Sequence, residues 1–163
     1  MKIFRKSVLI AIVLFAFIEG NAQVTLEQMA PEISLPNANG NIVSLSSFKG
    51  KIVLVDFWAI WCNPCRAANP KIVKLYNKYK ANGLEIFGVA LDKTKSKWLA
   101  AVKKDKITYT QVIDTEGWES DAAIAYGVEA IPTSFLLDKT GKIVAIDLEG
   151  DELENKIKEL LAL

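Results

Sequence analysis

The chain has 163 residues, with 20 Lys+Arg, 19 Asp+Glu, two Cys and no His. That length suits one domain with one full hydrophobic core, and a formal charge of +1 supplies neither a basic patch for nucleic acid nor an acidic tail. Without histidine, Ser-His-Asp and Cys-His catalysis, His-ligated zinc and His-based pH switching are excluded, and two cysteines cannot complete a four-thiolate zinc site.

Lys2, Arg5 and Lys6 precede an apolar run from Val8 to Ile18, followed by Glu19-Gly20-Asn21-Ala22 with its small residues. This is the pattern of a secretory signal peptide over residues 1–22, and the run is short of the roughly 20 residues a membrane span needs. An uncleaved anchor is the alternative, and the only route by which the chain would meet a membrane. Cleavage would turn the net charge from +1 to −1 and leave a single domain, residues 23–163, in an oxidising compartment.

Next, Ile33-Ser34-Leu35 and Ile42-Val43-Ser44-Leu45 flank Asn39-Gly40, which predicts a hairpin with a two-residue turn. Lys51 to Trp58 is apolar apart from Asp56 and Lys51 itself, as expected of a central strand covered on both faces. The period then becomes helical from about Asn63 to Ala81, with Ala68, Ile72, Leu75, Tyr76 and Tyr79 on one side and a kink expected at Pro70. Leu84 to Leu91 reads as a second buried strand, so the three elements form a right-handed βαβ unit. A helix over about Lys95 to Lys104, a short strand at Gln111 to Ile113 and a brief helix from Ser120 to Tyr126 follow. Thr133 to Asp138 and Ile143 to Ile146 form a hairpin, and Asp151 with Glu154 predicts a capping box for a closing helix. The order implies an α/β sandwich with a central mixed sheet flanked by helices.

Both cysteines lie in Trp61-Cys62-Asn63-Pro64-Cys65, where the first buried strand becomes a helix. A cysteine at a helix N-terminus faces unpaired N–H groups and the positive end of the macrodipole, which stabilise its thiolate, the nucleophilic form. Cys65, one turn on, is near enough to attack a mixed disulfide formed at Cys62. A disulfide across two residues closes too small a loop to constrain the unfolded chain much, so its use is chemical.

Val53 to Ala59 followed by Trp61-Cys62-x-Pro-Cys65 resembles the active-site strand and turn of thioredoxin, and Ile131-Pro132-Thr133 resembles that family's cis-proline loop. Ala30-Pro31-Glu32-Ile33-Ser34-Leu35 with its hairpin, and Val89-Ala90-Leu91-Asp92 before an inserted helix, are similar to exported thiol-disulfide oxidoreductases of the TlpA/ResA type. The resemblance implies a thioredoxin-like three-layer sandwich with an extra N-terminal hairpin and an inserted helix after the second core strand. It implies that Cys62 attacks, Cys65 resolves, and Pro132 is cis, with Trp61, Ile131 and Thr133 in the docking surface for an extended substrate segment. No cofactor and no metal enter this scheme. Its partners would be exported protein thiols and disulfides and a membrane electron-donor protein, met by a monomer in the periplasm or at the extracytoplasmic face. Reduction of disulfides, often in cytochrome c maturation, is the commonest work of such relatives.

Many of these relatives carry Glu three residues after the second cysteine, where this chain has Ala68. Asp56 stands instead on the active-site strand, where burial would raise its pKa into the range of proton transfer, so it is the candidate acceptor for the Cys65 proton. Trp58, Trp98 and Trp118 are assigned to packing, and Asp92 and Lys93 receive no role. Two other functions compete: a thiol peroxidase, which would need Thr where Ala59 stands, and a copper(I) chaperone using both thiolates, whose relatives add a His that this chain lacks.

Overall fold

The computed structural model describes residues 24–162. The expected signal segment, 1–22, and the cleavage point lie outside the described residues. Seven strands and four helices follow in the order β1 (Ser34–Pro36), β2 (Ile42–Ser44), β3 (Ile52–Trp58), α1 (Asn63–Tyr79), β4 (Leu84–Ala90), α2 (Lys95–Lys104), β5 (Thr110–Ile113), α3 (Asp121–Tyr126), β6 (Thr133–Leu137), β7 (Ile143–Ile146) and α4 (Gly150–Leu161). Five strands make one mixed sheet in the order β5-β4-β3-β6-β7, with β3, β4 and β5 parallel, β6 antiparallel to β3, and β7 antiparallel to β6.

All seven residues of β3 are buried, because the sheet is covered on both faces. The pleat sends alternate side chains to opposite sides. Leu54 and Trp58 join α1, α2 and α4 in one core, together with Cys62 and Cys65. Val53, Val55 and Phe57 join α3 and the N-terminal hairpin in the other. Asp56 has the parity of Leu54 and Trp58, so the one acid of the strand projects to the cysteine side. Across the sheet its neighbour is Gly88, where a β-carbon would fall 1.9 Å from the Gln111 side-chain amide. The missing side chain lets Gln111 reach over the strand and accept from Trp58 Nε1 at 2.9 Å.

Three local expectations are corrected. The β1–β2 hairpin turns through residues 37–41 instead of two residues, because Asn37 organises the loop: its Oδ1 accepts from the N–H groups of Asn39 and Asn41, and Gly40 takes φ +85°. α4 starts at Gly150 behind Glu149 with no side-chain cap. Glu154 is drawn away from capping by Lys78 and Tyr79 of α1, whose Nζ and hydroxyl donate to it at 2.6 and 2.7 Å. Finally, Trp118 is not packed inside: it stands 46% exposed on the turn before α3. α1 continues through Pro70, which leaves the Arg66 carbonyl without its helical donor.

Candidate active site

The redox pair forms where β3 gives way to α1. Cys62 is the N-cap of α1, with extended backbone (φ −83°, ψ 99°), and its sulfur accepts from the Cys65 N–H at 3.2 Å. The sulfur therefore takes the place that a Ser or Asp oxygen holds at other helix starts, facing the free N–H groups of the first turn. Pro64 occupies that turn, where its missing donor costs nothing. Cys62 and Cys65 are joined as a disulfide. Cys62 keeps 5% of its surface exposed and Cys65 1%, so Cys62 is the more accessible of the two.

The Ile131–Pro132 peptide bond is cis. The Ile131 carbonyl oxygen lies 3.6 Å from Cys62 Sγ, which sets the proline loop directly against the disulfide. Thr133 opens β6 opposite Phe57, and its hydroxyl donates to the Ala130 carbonyl at 2.9 Å, closing the loop. Trp61 is 54% exposed, and its ring sits 6.0 Å from that of Trp118 at an interplanar angle of 53°.

Asp56 lies beneath. It is 3% exposed, and its Oδ2 has no hydrogen-bond partner. Burial lifts its pKa from 3.8 to about 7, since nothing nearby offsets the loss of water around the charge. With Leu54, Ala68, Ile72, Pro132 and Leu148 it lines a cleft of about 350 Å³ between α1, the proline loop and the start of α4. Ala68 and Asp56 thus border the same space.

Sequence reasoning missed a second set of residues. Asp92, just past β4, is 2% exposed, and both its oxygens accept from the Ile60 N–H, at 3.2 and 3.0 Å. Its pKa is raised by burial, against the opposing pull of that N–H and of Arg66. Arg66 donates to the Ile60 carbonyl at 3.4 Å and grips Asp105 with Nε and a terminal nitrogen, the latter at 2.7 Å. Asn69 Nδ2 donates to the same carboxylate at 2.7 Å. Burial alone would raise the Asp105 pKa, but the bonds from Arg66 and Asn69 outweigh it and hold the carboxyl below its usual range. Both polar groups of the Ile60 backbone, two residues before Cys62, are thereby clamped. The available signal was position: an acid at the carboxyl end of a parallel strand, where sites of α/β proteins gather. Among the described residues no cluster of three or more His, Cys, Asp or Glu is placed to hold a metal ion.

A Cys-x-x-Cys disulfide at a helix start, faced by a cis-proline loop on a mixed five-stranded sheet, defines a thioredoxin-like thiol-disulfide oxidoreductase, an enzyme acting on disulfides. Comparison with known proteins agrees. The model of the AhpC/TSA family matches residues 26–146, and the chain belongs to that thioredoxin-like family. It is 35% identical over 132 residues to the thiol-disulfide oxidoreductase ResA of Bacillus thuringiensis subsp. konkukian, covering 81% of this chain and 74% of the relative. The thioredoxin domain of a thiol-disulfide oxidoreductase from Bacteroides vulgatus superposes with a TM-score of 0.80 at 37% identity, over 85% of this chain and 99% of that one. A thiol-disulfide oxidoreductase from Bacteroides fragilis gives 0.78 at 40% identity, over 82% and 99%.

Proposed function

We propose that this oxidoreductase is exported and reduces disulfides of other exported proteins through Cys62 and Cys65, with Asp56 as the proton acceptor. The observation that carries the reading is the Cys62 sulfur at the N-cap of α1, against the cis-proline loop. In the reduced enzyme the Cys62 thiolate attacks one sulfur of a substrate disulfide. The substrate S–S bond breaks, its second sulfur leaves as a thiolate and takes a proton from water, and Cys62 is joined to the substrate. Cys65 then passes its proton to Asp56 and attacks Cys62 Sγ. The Cys62–substrate bond breaks, the Cys62–Cys65 disulfide forms, and the released sulfur is protonated. The substrate has gained two electrons and two protons, and the enzyme is left in the disulfide form described above.

The substrate segment would lie extended along Ile131, Pro132 and Thr133, pairing through backbone groups, with Trp61 beside its sulfur. A membrane electron-donor protein returns the enzyme to the dithiol state. The signal-like residues 1–22 support export to the periplasm or the extracytoplasmic face, and cytochrome c maturation is the process such a reductase would serve. Peroxide reduction is not favoured, since Ala59 offers no hydroxyl three residues before Cys62.

The test is the reduction potential of the pair, by equilibration in dithiothreitol or glutathione buffers with tryptophan fluorescence as readout. The expected value is near that of thioredoxin, about −270 mV. A value near that of a strong oxidant, about −120 mV, would instead assign the enzyme to disulfide formation.

A further inference from the structure

Trp61 and Trp118 are large apolar side chains about half exposed, they touch each other, and Trp61 adjoins Cys62. Exposed aromatic pairs of this kind mark interaction sites. The turn that carries Trp118 is fixed from several sides. Gly117 adopts φ +64°, Ser120 N–H donates to the Gly117 carbonyl, and the fully buried Ser120 hydroxyl accepts from Ala123 N–H at 3.1 Å to start α3. Trp118 is therefore held out to solvent by a built turn.

That turn is also acidic. Glu116 and Glu119 flank Trp118, and with Asp114, Asp121 and Glu32 they line an adjoining cleft that has no basic residue in its wall. Among the described residues none of these five carboxylates is in an ion pair. Lys93, whose stem passes Gly117, is the base that borders the turn.

We propose that Trp61 and Trp118 form a docking platform for a basic polypeptide segment, seating a Lys or Arg side chain next to the substrate's reacting cysteine. Indole faces attract cations, and the carboxylates beside them select the same charge and repel the opposite one. A strand rises about 3.3 Å per residue and alternates sides, so the residue two places from the reacting cysteine lies roughly 7 Å from it on the same side. With the cysteine at Cys62 and the backbone on the proline loop, that side chain would lie toward Trp61, the neighbour of Cys62, whose ring stands 6.0 Å from that of Trp118. The proposal rests on the disulfide-reductase reading and names the class of substrate that the reductase prefers.

The test uses the reduced enzyme and two disulfide-linked peptide dimers that differ only in carrying Arg or Glu two positions from each cysteine. Second-order rate constants are read by acid quench and chromatography of the thiol product. Wild type is expected to favour the Arg peptide by about tenfold, and Trp118→Ala to lose most of that preference. Trp118→Phe should retain most of it, and Glu116→Gln with Glu119→Gln should reduce it and weaken its dependence on salt. A wild-type preference below about twofold overturns the proposal, as does an undiminished preference in Trp118→Ala. Should Trp118→Ala fail to fold, the glutamine variant decides, and an unchanged preference there overturns the proposal. If wild type reduces neither peptide, the reductase reading itself falls.

Discussion

Asp56 and Asp92 are the same residue type at nearly the same burial, on neighbouring segments of one sheet, yet their surroundings give them different work. Asp92 spends both oxygens on the Ile60 N–H and lies within the field of Arg66, so its charge is used to hold a loop. Asp56 keeps Oδ2 free, with nothing but burial acting on it. Burial raises the pKa of both; at Asp92 the Ile60 N–H and Arg66 oppose the rise, and at Asp56 nothing does. A buried acid that is fully bonded stabilises its neighbourhood, whereas an orphaned one destabilises the fold in its ionised form.

The largest effect that sharpens this contrast is on stability at Asp56. Below pH 3.8 the group is protonated whether the chain is folded or not. As pH rises from there to about 7, the unfolded chain ionises first, so stability is lost across that window and stays low above it. The difference between 3.8 and about 7 is worth on the order of 4 kcal/mol. Asp56→Asn should therefore be more stable than wild type at pH 8 by up to that amount, less the cost of an unpaired amide, with little advantage at pH 3.5. Urea denaturation of the oxidised protein at the two pH values is the check, and an equal advantage at both would show that the Asp56 charge carries no such cost.

The opposite sign is expected at Asp92. Asp92→Ala leaves the Ile60 N–H without its acceptor and should cost about 1–3 kcal/mol, with faster hydrogen exchange at that amide. Asp92→Asn keeps an acceptor and should recover most of the loss. A smaller effect is expected at Arg66, where lysine cannot span Asp105 and the Ile60 carbonyl together. Because the Arg66 side chain is partly exposed, Arg66→Lys should cost about 1 kcal/mol or less in the same denaturation assay.

The sheet and its helices were legible because their cause is local. Val- and Ile-rich runs at β3 and β4, and the helical period of α1 and α2, state in one dimension which faces will be buried. Cys62 and Cys65 were legible for a related reason, since the strand-to-helix junction that gives them their environment is itself written in the pattern. The cis state of Pro132 came from resemblance alone, as nothing in Ile131-Pro132-Thr133 encodes the isomer.

What stayed hidden depends on partners distant in the chain. Glu154 has the spacing of a capping residue, and only the arrival of α1 diverts it to Lys78 and Tyr79. Asp92 acquires its role from Ile60, 32 residues earlier, and Arg66 from Asp105, 39 residues later. Trp118 sits in a turn without periodicity, where hydrophobicity suggested burial and the Gly117 and Ser120 geometry enforces exposure.

Whether Asp56 takes the proton of Cys65 is read from the pH profile of mixed-disulfide resolution. A mixed disulfide of Cys62 with a small thiol would be mixed rapidly into buffers from pH 5 to 9, and thiol release followed. With Asp56 as the acceptor, the wild-type rate should rise through an inflection near pH 7, and the Asp56→Asn rate should be lower by about a hundredfold at pH 7.5 and lack that inflection. The same rate and the same inflection in both proteins would contradict it.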